Sequence, residues 1–333
     1  MYIVSTYYHT LISCVKQLAF PINADILVTS FISGARQLCK KLKESALFRK
    51  VIFINNISEY EAKNFFDYIF FYHQKNAMQI ESQIENIFYD YDDIYVFHDD
   101  IWVTRYLKDR KIRYHLIEDA LNCYKNISQS KFSYMLMKTL WIHLKKVFNI
   151  GYVFLGLSNC IIDIEVNDKK DIEIIKTAKC KIIECPRKEL FKKLDDGMKQ
   201  KLKDIFLKNI PPLRSKQIAM LLTEPLFSDG YIDSVEQQVE LYRVIAEKYI
   251  STDELLVIKP HPRDSVDYKK IFKNAIILDK NMPVEILDLC LNLKVKKIIS
   301  VSSTAFYSLD SNEYISVSLD EIFNEKGEII CLR

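Results

Sequence analysis

Short runs of β-branched and aromatic residues alternate along this chain with longer stretches of helical periodicity. Helical patterns near 10–19, 34–47 and 58–88 separate several of these runs. Strand–helix alternation at this spacing predicts parallel sheets joined by crossover helices. The predicted strands of the first part of the chain are YIVST (2–6), DILVTS (25–30), KVIFIN (50–55), DIYVFHD (93–99) and RYHLIED (113–119).

The same alternation begins again after NIPPL (209–213), which is typical of a hinge. We therefore expect two domains, 1–210 and 211–333. The pattern predicts an α/β fold of GT-B type, in which two doubly wound Rossmann-like domains face each other across a cleft. Ligands of such sheets bind beyond the carboxyl ends of the strands. The predicted strands of the second part are QIAMLLTEP (217–225), ELLVIKP (254–260), NAIILD (274–279) and KKIISVS (296–302).

Composition excludes several classes of protein. A length of 333 residues, with 49% hydrophobic and 27% charged residues, suits a globular protein of two domains. The net charge of +3, without arginines interleaved with aromatic residues, argues against a nucleic-acid partner. Only 6 glycines occur, and neither GxGxxG nor a Walker loop is present, which argues against dinucleotide and P-loop chemistry.

The cysteines and the apolar segments indicate a cytoplasmic protein. The 8 cysteines are scattered, without a CxxC pair or zinc-ligand spacing, so we expect reduced thiols and no metal. The N-terminus lacks the features of a signal peptide, and no uncharged apolar run is long enough for a transmembrane helix. Segment 133–157 combines apolar residues with lysines and Trp141, so either a peripheral contact with the inner membrane face or a core helix is expected.

The most distinctive local feature is a histidine between two prolines. Lys259-Pro260-His261-Pro262-Arg263 follows a predicted buried strand. The prolines fix φ and remove backbone donors, so the imidazole is held in one direction. The two cations suit an anionic ligand, and the imidazole can donate a proton or a hydrogen bond to a departing phosphate. The alternative is a histidine with only a structural role in a turn.

Hydroxyl groups follow another predicted strand. Ser302, Ser303 and Thr304 stand at a predicted helix start, where unpaired N–H groups attract anions. Pro283 and Glu285 stand at the start of the preceding predicted helix, where a carboxylate could accept hydrogen bonds from a ribose. The alternative for the three hydroxyl residues is that they only cap the helix N-terminus. The alternative for Glu285 is that its charge only interacts favourably with the helix dipole.

Two pairs of carboxylates also come at strand ends. Glu118 and Asp119 follow one predicted strand, and Glu224 and Asp229 follow another. A general base that removes a proton from a sugar hydroxyl would come from these pairs if the protein is a transferase. The alternative is that these carboxylates only form caps at the protein surface. The HDD segment (98–100) is a weaker candidate of the same kind.

In this order the motifs resemble a known family. An acidic pair followed by a small residue, IEDA (117–120), precedes KPHPR (259–263) and SVSST (300–304), and MPVE (282–285) lies between the last two. The combination resembles the bacterial sialyltransferases of glycosyltransferase family 52, the lipooligosaccharide and capsule type, over roughly 1–310. The evidence is the joint order of short motifs.

The resemblance implies a GT-B fold, a CMP-sialic acid donor, inversion at the anomeric carbon, and neither cofactor nor metal. His261 would act on the leaving phosphate of CMP, Ser302 and Ser303 would hold that phosphate, and Glu285 would bind the ribose. The acceptor implied is a galactose-terminated glycan of lipooligosaccharide or capsule. The other residues of these segments expected at the donor are Lys259, Pro260, Arg263 and Thr304.

One residue departs from the family pattern, and the identity of the general base stays open. Ala120 occupies the position of the usual glycine after the acidic pair, which restricts the backbone of that turn. The base is Asp119, Asp229 or Glu224. We favour Asp229, because Gly230 follows it, narrowly over Asp119. Glu118 and Glu224 are the further acceptor-side candidates.

Two other classes of function remain. One is a different GT-B transferase, such as a hexosyl-, polysialyl- or Kdo transferase or a CDP-glycerol glycerophosphotransferase. The other is a non-catalytic protein that binds a glycan or a nucleotide, for which Ala120 is the hint.

Overall fold

The structure is a computed structural model of the 333-residue chain. It describes residues 1–55, 82–83, 87–99, 101–121, 123, 158–170, 180–207, 217–291, 293–301 and 309–318. The chain divides into two compact units, Met1–Met198 and Lys199–Arg333. The division falls inside the helix Asp196–Phe206, whereas the predicted hinge at 209–213 lies outside the described residues.

The first unit contains a seven-stranded sheet in the order β3-β2-β1-β4-β5-β6-β7. Every described pair of neighbouring strands is parallel. The three residues of β1 are fully buried, as expected for a central strand covered on both faces. The strands are β1 (Tyr2–Val4), β2 (Ile26–Thr29), β3 (Val51–Ile54), β4 (Tyr95–Val96), β5 (Tyr114–Ile117), β6 (Ile161–Val166) and β7 (Lys181–Glu184).

Helices follow several of these strands. Helix α1 begins after β1, where the Thr6 hydroxyl accepts the His9 N–H at 3.1 Å as an N-cap, and its buried face includes Leu11, Ile12 and Val15. A short 3₁₀ helix covers Ile87–Asp90. The described α-helices that begin in this unit are α1 (Tyr7–Ala19), α2 (Ala35–Ser45), α3 (Trp102–Asp109), α4 (Arg187–Lys192) and α5 (Asp196–Phe206).

The second unit contains a five-stranded parallel sheet in the order β10-β9-β8-β11-β12. All five residues of the central strand β8 are buried, and Leu221, Ile258 and Ile299 belong to one apolar core. The strands are β8 (Ile218–Leu222), β9 (Leu255–Lys259), β10 (Ile276–Ile277), β11 (Val295–Val301) and β12 (Ser311–Val317), and the described helices are α6 (Val235–Tyr249), α7 (Tyr268–Ile271) and α8 (Glu285–Leu291).

The prediction of an α/β fold with parallel sheets is thus confirmed. Because the strands run parallel, their carboxyl ends share one edge of each sheet. In the first unit this edge carries the residues that follow β1, β4 and β5. In the second unit it carries the residues that follow β8, β9 and β11.

Two findings concern the remaining sequence expectations. The seven cysteines within the described ranges are all free thiols. Within those ranges, none of the helices has the length and apolar character needed to cross a bilayer. Segment 133–157, for which a membrane contact was considered, lies outside the described residues.

Candidate active site

The turn that contains His261 follows β9 and is held by its own backbone. The His261 N–H donates to the Thr223 hydroxyl at 3.4 Å, and the His261 carbonyl accepts the Asp264 N–H at 2.9 Å. The Arg263 N–H donates to His261 Nδ1 at 3.1 Å. These hydrogen bonds add to the stiffness of the flanking prolines, so both the backbone and the ring of His261 have a fixed orientation.

The contacts of the ring define its tautomer. Since Nδ1 accepts a hydrogen bond, the neutral imidazole carries its proton on Nε2. Nε2 lies 3.9 Å from Glu224 Oε2. Burial, followed by the charges of Arg263 and Lys259, lowers the pKa of His261 to about 4. At neutral pH the ring is therefore an uncharged donor, and 29% of the side chain is exposed.

A buried carboxylate, Asp264, anchors this turn. The residue is 2% exposed. Oδ2 accepts from the hydroxyls of Thr223 and Tyr268, each at 2.7 Å, and Oδ1 accepts from Gln238 Nε2 at 3.1 Å and the Val266 N–H at 3.0 Å. Sequence reasoning missed Asp264. Its position directly after KPHPR was the available signal, but an aspartate in a loop ordinarily indicates a surface turn.

Lys259 supports the turn from inside. Its ammonium donates to the Pro260 carbonyl at 2.7 Å and to the Lys280 carbonyl at 3.0 Å, and the residue is buried. Burial lowers the pKa of Lys259 to about 8. The Lys259 side chain thus connects the turn that contains His261 to the backbone at Lys280. The contacts of Lys259 and Pro260 with a donor remain predictions.

The segment after β8 brings the second acidic pair to the same edge. The Glu224 backbone N–H donates to the Tyr242 hydroxyl at 2.6 Å, which fixes the start of the segment. Asp229 accepts from both terminal nitrogens of Arg263. Gly230 has φ +75°, a backbone angle that glycine adopts readily. Asp229 therefore sits in a tight turn and is held by a guanidinium group.

The two residues of the IEDA pair have different surroundings. Glu118 is buried, and its Oε2 accepts the Asn167 N–H at 2.7 Å. Asp119 is 37% exposed at its side chain, and its Oδ1 lies 2.6 Å from His9 Nε2. Burial raises the pKa of Asp119, but the hydrogen bond from His9 and the electrostatic interactions with His9 and His98 outweigh it, so that the pKa of Asp119 is below its usual value.

His9 is a further residue that sequence reasoning missed. It belongs to the first turn of α1, and its ring is buried and stacks on Phe97 with centroids 4.6 Å apart and planes 10° apart. Its Nδ1 accepts the Ser5 N–H at 3.2 Å. The available signal was its place just beyond the first predicted strand, at the edge where ligands were expected.

The remaining predicted residues fall in two groups. Glu285 begins α8, is partly buried, and contributes a charge that favours the protonated form of Lys259. Ser302, Ser303 and Thr304 lie outside the described residues, as does the last aspartate of the HDD segment. Their roles stay predictions.

Across the described part of the chain, no group of three or more His, Cys, Asp or Glu side chains is placed to hold a metal ion.

The two units thus carry complementary chemical groups. The second unit offers a rigid, neutral imidazole with an Nε2–H donor, which can stabilise charge on a leaving group. The first unit offers a carboxylate that receives one fixed hydrogen bond and is partly open to solvent, which can accept a proton.

Comparison with known sequences identifies a family. The sequence model of glycosyltransferase family 52 matches residues 39–319. A curated protein of Haemophilus influenzae, described as uncharacterised, is 37% identical over 124 residues, which are 35% of this chain and 38% of the relative. The chain therefore spans less than half the length of that relative.

Comparison with solved structures identifies the fold. A galactoside α-2,3-sialyltransferase of Photobacterium phosphoreum has a TM-score of 0.57 at 14% identity, over 95% of this chain and 88% of that chain. A sialyltransferase of Photobacterium damsela has a TM-score of 0.53 at 12% identity, over 98% and 76%. A 2,6-sialyltransferase of Photobacterium sp. JT-ISH-224, solved with CMP and lactose, has a TM-score of 0.53 at 12% identity, over 92% and 68%. At this level of identity the likeness confirms the GT-B type of fold.

Proposed function

Because the chain belongs to glycosyltransferase family 52, we propose that it transfers sialic acid from CMP-sialic acid to a galactose-terminated glycan. The observation that carries the proposal is the fixed Nε2–H donor of His261, which suits a leaving group that gains negative charge. Similarity in fold to sialyltransferases, one of them solved with CMP and lactose, supports this donor and this kind of acceptor.

Departure of CMP explains why such a donor is needed. When the bond between the anomeric carbon and the phosphate oxygen breaks, its electron pair remains on the phosphate. A hydrogen bond from Nε2 of His261 stabilises that charge more in the transition state than in the ground state. The phosphate also raises the pKa of the nearby imidazole, which allows the proton to follow.

The rest of the donor would be held by the predicted residues. Ser302, Ser303 and Thr304 supply hydroxyl and N–H donors for the phosphate, and Glu285 accepts from the ribose. A single phosphate carries little charge, so fixed hydrogen-bond donors can replace a metal ion.

The acceptor side needs a base. A carboxylate removes the proton from the attacking sugar hydroxyl, and attack from the face opposite CMP inverts the anomeric carbon. The acceptor in the cell is a lipooligosaccharide or capsule glycan in this proposal. A peripheral contact of segment 133–157 with the inner membrane face would bring the protein to such acceptors.

A nucleotide-release assay tests the donor. The protein is incubated with CMP-sialic acid, CMP-Kdo, UDP-hexoses or CDP-glycerol, each with and without lactose. We expect acceptor-dependent release of CMP from CMP-sialic acid and formation of sialyllactose. Release from another donor alone would replace the proposal by a different transferase, and no release from any donor would favour a binding protein.

Substitution of the imidazole tests its role. We expect His261→Ala to lower kcat by about 10²- to 10⁴-fold, while the Kd of CMP changes by less than about tenfold, because the lost interaction forms mainly in the transition state. Ser265→Ala is the matched control, since Ser265 is exposed on the same loop. Equal losses in both variants would contradict the proposal.

A further inference from the structure

We infer that Gln238 is a positioning residue, which holds the turn that contains His261 and the segment 224–231 that follows β8 in one fixed relation. The inference rests on the proposed function and adds to it a buried residue that lies outside the sequence motifs. Because Gln238 is 2% exposed, it has no direct access to a substrate and must act through its neighbours.

The amide of Gln238 contacts the two parts with its two different ends. Its Nε2 donates to Asp264 Oδ1 at 3.1 Å, and Asp264 anchors the turn that contains His261. Its Oε1 accepts the Phe227 N–H at 3.0 Å, in the middle of segment 224–231. One side chain thus connects both parts through the interior of the second unit.

The surroundings leave one orientation for this amide. A carboxylate only accepts hydrogen bonds and a backbone N–H only donates them, so the Nε2 end must face Asp264 and the Oε1 end must face Phe227. The Tyr268 hydroxyl, 3.2 Å from Nε2, also lies at the Nε2 end. The position therefore needs a neutral side chain with a donor and an acceptor at its tip, which glutamine provides.

Helix α6 is the rigid support of these contacts. Tyr242 lies one turn beyond Gln238 on the same face of α6. Its hydroxyl contacts both the N–H and the carbonyl oxygen of Glu224, at 2.6 and 3.3 Å. The helix thus holds segment 224–231 at two points, and at one of them Gln238 also reaches the turn that contains His261.

Segment 224–231 is compact, so an anchor at one residue fixes the whole. The Tyr231 N–H donates to the Leu226 carbonyl at 2.9 Å. The Gly230 N–H donates to the Phe227 carbonyl at 3.0 Å. The Leu226 side chain belongs to the apolar core of the second unit. The hydrogen bond that Gln238 accepts at Phe227 therefore acts on the segment as a unit.

A second connection between the two parts lies at the surface. Asp229 binds Arg263, whose side chain is 63% exposed, so that solvent screens this pair. The contacts of Gln238 are buried, which strengthens a hydrogen bond and makes an unpaired group more costly. We therefore expect Gln238, rather than the surface pair, to set the position of the turn that contains His261.

Gln238→Leu tests this role, because leucine has a similar bulk but forms neither hydrogen bond. We expect kcat to fall by about 10- to 100-fold, since a small displacement of the imidazole weakens an interaction that forms mainly in the transition state. The KM for CMP-sialic acid should change by less than about threefold.

Gln238→Glu tests the orientation of the amide. Glutamate keeps an acceptor for the Phe227 N–H but sets a second carboxyl group against Asp264, so that one of the two must be protonated. We expect kcat of this variant, divided by that of the original protein at the same pH, to rise as the pH falls from about 8 to about 6. The same ratio for Gln238→Leu should stay constant.

The titration of His261 gives a readout that does not depend on activity. Burial, followed by the charges of Arg263 and Lys259, holds the pKa of His261 at about 4. In Gln238→Leu the turn loses a buried contact and the ring gains solvent, so the pKa should rise toward its ordinary value of 6.5. NMR of histidine-labelled protein measures the titration, and His261→Gln identifies the signal.

Gln237→Leu is the matched control. Gln237 is the adjacent residue of α6, is partly buried, and accepts the Asp233 N–H at Oε1 at 2.8 Å. We expect this variant to keep the turnover of the original protein and the pKa of His261. Thermal unfolding shows whether each variant retains the fold, and if Gln238→Leu does not fold, Gln238→Glu at the lower pH carries the test.

Three results would overturn the inference. They are equal losses of kcat in Gln237→Leu and Gln238→Leu, an unchanged pKa of His261 in Gln238→Leu, and a kcat ratio of Gln238→Glu that does not depend on pH. An original protein that releases no CMP would instead overturn the proposed function, and the titration of His261 would still test the inference.

Discussion

The guanidinium of Arg263 binds both carboxylate oxygens of Asp229, with Nη2 and Oδ2 3.0 Å apart. The pair joins the turn that contains His261 to the segment that follows β8. Two hydrogen bonds from a charged group fix the orientation of the Asp229 carboxylate. Asp229 thus holds Arg263 and its turn in place, and its role as the base stays a prediction.

Substitution separates the two candidate bases, Asp119 and Asp229. We expect Asn at the position of the base to lower kcat by about 10²- to 10⁴-fold, and Asn at the other position to lower kcat by less than about tenfold. Steady-state kinetics with CMP-sialic acid and lactose measures both. A greater loss of kcat in Asp229→Asn than in Asp119→Asn would make Asp229 the base.

Asp264 gives a prediction about both stability and turnover. In Asp264→Asn, the new NH₂ group must face two of the hydrogen-bond donors that the carboxylate accepts. We expect the free energy of unfolding to fall by about 1–3 kcal/mol, and kcat to fall because the His261 turn loses its anchor. Urea unfolding and kinetics measure the two effects. Asp267→Asn, which is on the same loop and 53% exposed, is the control and should change neither.

Ala120 gives a prediction that bears on the non-catalytic alternative. Among described residues other than glycine, only Ala46 and Lys111 have positive φ, so the turn at Ala120 needs no glycine. Ala120→Gly should then lower the free energy of unfolding by about 0.5–1 kcal/mol through the unfolded state, and kcat should change by less than about twofold. A large gain in turnover would instead mean that alanine impairs the site.

The sequence predicted the sheets well, because strand–helix alternation is a local pattern. Eight of the nine predicted strands contain an observed one, and KKIISVS (296–302) overlaps β11, which begins one residue earlier. DIYVFHD (93–99) narrows to Tyr95–Val96, and β6, β7 and β12 were not predicted. Helix α8 begins at Glu285 rather than Pro283, within the usual uncertainty of helix ends. Periodicity therefore located the elements, and the parallel order then follows from the crossover connections.

The contacts that orient the candidate site could not be predicted in the same way. His9 and Asp119 are 110 positions apart in the sequence, and neither has a local pattern that names the other. They come together because β4 lies between β1 and β5 in the sheet, so the ends of these three strands are adjacent. Asp264 was missed for a related reason, because its partners lie directly after β8 and in α6 and α7. Propensity and motif spacing do not contain this tertiary information.

The low pKa of His261 makes stability depend on pH with a defined sign. In the unfolded chain the ring titrates near its ordinary value of 6.5, and in the folded protein near about 4. As the pH falls between these values, the unfolded state takes up the proton first, so the free energy of unfolding decreases. His261→Gln lacks this contribution. From about pH 7 to pH 4, its free energy of unfolding should therefore decrease by about 1–3 kcal/mol less than that of the original protein. Urea titrations at the two pH values measure the difference, and parallel losses in both proteins would mean that burial does not hold the imidazole neutral.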